Sequence, residues 1–158
     1  MPALQHPNAA ADGRAIVATR VFDAPRALVF DAFTNREYLG EWWGPNGFTI
    51  TTFEIDVRPG GAWRFVMHGP DGRDYQNKIV YVEIDPPSRL VYDHVSGPLF
   101  RSTVTFVEQN DNQTLVTVEM MFESAELRDR VAQEYGAVEG LQQTLGRLAG
   151  LLSKRSTR

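Results

Sequence analysis

Apolar residues recur at Leu127, Val131, Tyr135, Val138, Leu141, Leu145, Leu148 and Leu152, always three or four positions apart. That spacing is one stripe along a helix. Ser124 supplies a cap and Glu126 an acidic first turn, so a single helix is predicted over 124–152. A stripe of this length has to be buried against a large apolar surface. Gly136, Gly140, Gly146 and Gly150 lie within the same span. Each weakens a helix by up to ~1 kcal/mol relative to alanine, which points to close backbone approach or to slack in the helix.

The partner has to come from the residues before it, and those read mainly as strands. Residues 14–22 alternate and are rich in β-branched side chains. Asp23 and Pro25 suit the start of a short helix over 26–34, and Asn35 caps a second over 36–42. Trp42-Trp43-Gly44-Pro45-Asn46-Gly47 passes into a loop. Six further strands follow, over 48–57, 62–68, 73–84, 89–95, 101–108 and 114–122, the first five each closed by a turn rich in Gly, Pro, Asn or Asp. Links this short join antiparallel neighbours. The expected fold class is therefore α+β: a seven-stranded curved antiparallel sheet, two short helices, and one long C-terminal helix over the concave face.

Composition removes several classes of function. A chain of 158 residues fits one domain. It has no cysteine, hence no disulfide, thiol nucleophile or Cys-ligated metal, and it suits a reducing, cytoplasmic setting. Three scattered histidines argue against a metal site, so no metal or cofactor is expected. A net charge of −4 with no basic cluster ahead of residues 154–158 argues against nucleic acid. No apolar run reaches the ~18–20 residues that span a bilayer. Residues 1–13 carry no signal-peptide pattern and read as a disordered leader, 14–153 as the domain, and 154–158 as a solvated tail. Asn112-Gln113-Thr114 matches a glycosylation acceptor only by chance if the chain is not secreted.

Strand parity sorts the side chains by face. Trp63, Phe65 and Met67 share one face of 62–68; Leu90, Tyr92 and His94 share one face of 89–95; Val116, Val118, Met120 and Phe122 share one face of 114–122. Directed inward, these sets meet Trp42, Trp43, Tyr135, Leu141 and Leu145. They line a pocket for a flat or lipid-like ligand, or they simply fill a core. His94 is the polar group on that face, and either anchors a ligand or is a hydrogen-bonded core residue. His68 has the opposite parity and should meet solvent. Glu54 and Asp56 share a face, but alternate with Phe53 and Ile55, which places the carboxylates outside rather than in acid–base work. There is no Gly-x-Ser-x-Gly elbow and no phosphate loop.

The order of elements resembles the START/Bet v 1-like (SRPBCC) superfamily, the helix-grip fold. Five stretches narrow the likeness: Phe22-Asp23-Ala24-Pro25-Arg26 with Val29-Phe30; Trp42-Trp43-Gly44-Pro45; Val57-Arg58-Pro59-Gly60-Gly61 with Trp63-Arg64-Phe65; Ile84 to Tyr92; and Gly136 to Leu141 with Leu145 and Leu148. Together they resemble the family similar to the C-terminal domain of the Hsp90 ATPase activator Aha1, from about residue 15 to about 152. The resemblance implies a cavity between sheet and helix. Where that family often has Trp in its last helix this chain has Leu141, which implies a roomier cavity.

The reading that follows is of a binding protein for a small hydrophobic or aromatic molecule, acting in carriage, sensing or sequestration, with Trp42, Trp43, Trp63, Phe65, Met67, Tyr92, His94, Met120, Tyr135, Leu141 and Leu145 as ligand-binding residues and no catalytic residue assigned. A cyclase- or hydrolase-like enzyme would draw on Tyr75, Tyr81, Tyr92 and His94. A protein-interaction module related to Hsp90 activation would use the outer sheet face, and a second copy of the chain is a candidate partner. With only residues 1–13 ahead of the first strand, the separate domain that engages the chaperone is not expected, nor is an Hsp90-type partner.

Overall fold

The computed structural model describes residues 13–110 and 112–156; most of the expected leader and the last two tail residues lie outside them. Strand β1 (Ala15–Phe22) is followed by helices α1 (Arg26–Thr34) and α2 (Arg36–Trp42). Strands β2 (Thr49–Ile55), β3 (Ala62–His68), β4 (Asp74–Asp85), β5 (Arg89–His94), β6 (Phe100–Asn110) and β7 (Gln113–Met121) come next, then α3 (Ala125–Tyr135) and α4 (Ala137–Ser156). All strands join one seven-stranded sheet in the order β1-β7-β6-β5-β4-β3-β2. Every pairing is antiparallel. This is the α+β helix-grip arrangement.

Local chemistry sets the helix starts. Asn35 accepts from the Glu37 amide at 2.9 Å, and Ser124 from the Leu127 amide at 3.1 Å, each satisfying a donor the helix cannot pair. Asp23 does not cap α1. Pro25 itself is the residue before the first helical turn, so Asp23 is too far out and instead accepts from Gln113 Nε2 at 2.7 Å.

Register shifts interrupt β2 between Thr52 and Glu54, β4 between Tyr81 and Glu83, and β6 between Glu108 and Asn110. An extra residue at each bends and twists the strand. The first also breaks parity. Thr52 stays inward, where its hydroxyl accepts from Trp63 Nε1 at 3.1 Å, and Phe53 is 60% exposed rather than facing the core. Glu54 and Asp56 do lie outside, paired with Arg64 and Arg58.

The predicted helix over 124–152 is two helices. Gly136 adopts φ +58°, closes α3, and its carbonyl accepts from the Gly140 amide at 2.8 Å to start α4. A right-handed helix needs φ near −63°, so the axis breaks there. The stripe divides accordingly: Leu145, Leu148 and Leu152 are buried in the main core with Phe22, Phe33, Trp42 and Phe106, whereas Val131 packs with Ile16 and Phe122 in a smaller cluster. Between them Tyr135 and Val138 are exposed, because the chain turns there.

Candidate functional site

The sheet's concave face and the two C-terminal helices do not close on each other completely. They leave a cavity of about 660 Å³, lined mainly by apolar groups. Trp42, Trp43, Phe65, Met67, Tyr92, His94, Met120, Tyr135, Leu141 and Leu145 all line it. Trp63 shares their face but stands one layer back, stacked on Phe65 with ring centroids 4.0 Å apart. Parity fixes the face on which a side chain lies and not its depth. Tyr135 reaches the cavity only at its mouth, where it is 60% exposed.

The walls are aromatic. Trp43 is the centre of the cluster, with ring centroids 5.3 Å from Trp42, 5.0 Å from Trp63, 6.3 Å from Phe65 and 6.3 Å from Tyr92. Its loop is held in place from α4. Arg147 Nη1 donates to the carbonyl oxygens of Gly44 and Pro45 at 2.9 and 3.1 Å, and the Asn46 amide donates to Gln143 Oε1 at 3.1 Å. Burial lowers the Arg147 pKa, since the guanidinium exchanges water for carbonyl dipoles.

Phe33, Phe48, Tyr75, Asn77, Ile79, Phe100 and Val118 also line the cavity. Tyr75, Asn77 and Ile79 share one face of β4, so the same alternation test applied to that strand would have found them. Phe100 starts β6 one residue before the predicted strand.

His94 is buried, and its ring stacks on Phe100 at 4.8 Å with planes 8° apart. Nδ1 is 2.7 Å from the Pro98 carbonyl oxygen and Nε2 is 2.7 Å from Asn77 Oδ1. Burial lowers its pKa, with the Pro98 carbonyl pulling the other way. Asp93 points to the opposite face and is held by Arg101 at 2.7 Å. Tyr92 and Ser102 are cross-strand neighbours, as are Tyr81 and Tyr92, so the three hydroxyl residues form one row. Burial pushes Tyr92 up to about 12; Ser102 is near enough to favour the phenolate slightly, yet the Ser102 hydroxyl makes no hydrogen bond of proper geometry. Tyr81 is raised further, by burial and then by Tyr92, and its hydroxyl also has no partner among the described residues. Both phenols stay neutral.

On the outer face Thr51 Oγ1, His68 and Asp74 form a chain with contacts of 2.7 and 2.8 Å. The order hydroxyl–imidazole–carboxylate is that of a nucleophilic triad. Thr51 and Asp74 are exposed, however, and the contacts are those of a cross-strand surface row. Among the described residues no three His, Cys, Asp or Glu side chains come together as a metal site, and no helix is long and apolar enough to cross a membrane.

Residues 23–153 match the family model described as "Activator of Hsp90 ATPase homolog 1-like protein". Among solved structures, protein Ms6760 from Mycobacterium smegmatis is 26% identical with a TM-score of 0.79, over 89% of this chain and 91% of that one. Protein NE0264 from Nitrosomonas europaea is 24% identical with a TM-score of 0.83, over 92% of this chain and 98% of that one. The AHSA1 protein SPO3351 from Silicibacter pomeroyi is 19% identical with a TM-score of 0.71, over 89% and 99%. The last two likenesses carry the fold alone. No curated protein matches the chain.

Proposed function

Because the chain belongs to the activator of Hsp90 ATPase homolog 1-like family, whose fold sets a helix across a curved sheet, we propose that it binds one small hydrophobic or aromatic molecule between the two. The observation that carries this reading is the cavity of about 660 Å³, within the range that holds drug-sized ligands. A core that serves stability alone is packed to crystal-like density and leaves few voids larger than a water molecule. The aromatic walls favour a flat ligand, and Trp42, Trp43, Phe65, Met67, Tyr92, His94, Met120, Leu141 and Leu145 are its proposed contacts, with Tyr135 at the mouth.

Binding without chemistry is favoured over catalysis. A general base needs a free nitrogen within reach of its substrate, and both His94 nitrogens are engaged at 2.7 Å, Nδ1 by the Pro98 carbonyl and Nε2 by the Asn77 side-chain amide. The cysteine-free sequence supports work in a reducing compartment such as the cytoplasm. Native mass spectrometry of freshly purified protein tests the reading. A retained small molecule, lost when an apolar competitor is added, is the expected result. A protein with no adduct that also fails to bind apolar dyes would remove it.

A further inference from the structure

We propose that the ligand is an uncharged aromatic molecule carrying a hydroxyl group, and that Asn77 beside His94 is the residue that reads that hydroxyl. The inference rests on the cavity being the ligand site.

Charge is the first argument. Among the described residues Asp74 and Glu134 are the charged ones that reach the cavity; both are acidic and exposed, and Asp74 touches only its rim, with its carboxylate on His68. Among the described residues no lysine or arginine lines it. A carboxylate carried inside would lose its hydration and meet no fixed cation, which is costly. Among the described residues His94 is the one group there able to become a cation, and burial opposes it. The groups that face it are Asn77, the Pro98 carbonyl, Phe100 and, across β4, Ile79, none of them charged.

The second argument is the count of protons. The Pro98 carbonyl can only accept, so the neutral His94 ring keeps its proton on Nδ1 and donates it there. Nε2 is then an acceptor, and the Asn77 amide has to offer it an N–H. The oxygen and nitrogen of that amide have nearly the same shape, so turning it over brings Nδ2 to Nε2. The turn also brings Asn77 Oδ1 to the place from which Nδ2 otherwise reaches the Tyr75 carbonyl oxygen, 3.0 Å away. Two acceptors then face each other where Tyr75 and Asn77 line the cavity. The contact is exposed to solvent, so water can give the one proton that resolves the conflict; a ligand that displaces water there has to bring it, and a hydroxyl does. A carboxylate or an ether oxygen brings none.

Calorimetric titration of the full chain at pH 7.5 with naphthalene, 2-naphthol and 2-naphthoate separates these possibilities. The expected order is 2-naphthol tightest, with naphthalene and 2-naphthoate each at least about tenfold weaker. Asn77→Leu should erase the preference, so that 2-naphthol and naphthalene bind with the same affinity, in a variant whose cooperative thermal melt shows that it is folded. Binding of 2-naphthoate as tight as that of 2-naphthol, or equal binding of naphthalene and 2-naphthol to the unmodified chain, would overturn the inference while leaving an apolar site in place. Failure of all three to bind would overturn the proposed function, and this inference with it.

Discussion

Arg147 Nη1 lies 2.9 Å from the carbonyl oxygen of Gly44, so a side chain on the last helix holds the loop that carries Trp43 into the cavity wall. The same guanidinium also meets the Pro45 carbonyl, which accepts from the Phe48 amide as well, at 3.1 Å. Hydrogen bonds to a charged donor are worth about 1.5–3 kcal/mol each in stability, and this one is partly solvated. Arg147→Met, which keeps most of the side chain's apolar length, is expected to cost about 2 kcal/mol in denaturant unfolding. Amide exchange should quicken at residues 43–48 and not in β5 or β6. Uniform quickening across the sheet would show that Arg147 supports the whole fold rather than the loop.

The His94 pKa gives a pH signature with a fixed sign. Its folded value lies below the unfolded one, near 6.5, because burial penalises the charged ring. The unfolded chain therefore takes up the proton first as pH falls. The contribution is fully present above about pH 6.5 and is lost as pH drops from there toward the folded value, by at most about 1.4 kcal/mol per pH unit. Unfolding free energies of the unmodified chain and of His94→Gln, measured from pH 8 to pH 4, should differ by a constant amount above pH 7 and converge below 6.5. A gap that widens on acidification would mean that the folded His94 is the stronger base.

Two glycines of the C-terminal segment should respond in opposite directions. Gly136→Ala puts a Cβ at φ +58°, a left-handed conformation that costs about 1–2 kcal/mol for an L-residue. Gly150 lies inside α4 with nothing within 4 Å of an added Cβ, so Gly150→Ala is expected to stabilise by up to about 1 kcal/mol. Thermal melts of the two variants check the pair. Stabilisation by Gly136→Ala would mean that the break between α3 and α4 is not a preferred state of the chain.

These residues also show what was legible in the sequence and what was not. The helices over 26–34 and 36–42 and the strand over 62–68 have the boundaries predicted, because Pro25, Asn35, Gly61 and Gly69 punctuate the chain there. The break at Gly136 was hidden because the apolar period runs through it without a skipped step, and a period reports which face is apolar and not whether the axis is straight. Phe53 was misplaced because a bulge shifts parity by one, and a bulge is a pairing event between strands that one strand's pattern does not record. Asn77 carried a signal that alternation on β4 exposes: a polar residue in register with Tyr75 and Ile79. Its significance needed His94 beside it, and that contact joins residues 17 positions apart in the sequence.

Filling the cavity is the most direct test of its role. Leu141 lines it and is only partly buried, so Leu141→Trp has space to grow into. An environment-sensitive apolar dye should bind the unmodified chain at one site with a dissociation constant of ~1 μM, equivalent to ~8 kcal/mol. Fluorescence titration of Leu141→Trp should show binding weakened by more than about tenfold, or ~1.4 kcal/mol, in a protein that melts cooperatively at the same or a higher temperature. Equal affinity and stoichiometry in the two proteins would place the dye elsewhere and contradict the assignment of this cavity as the ligand site.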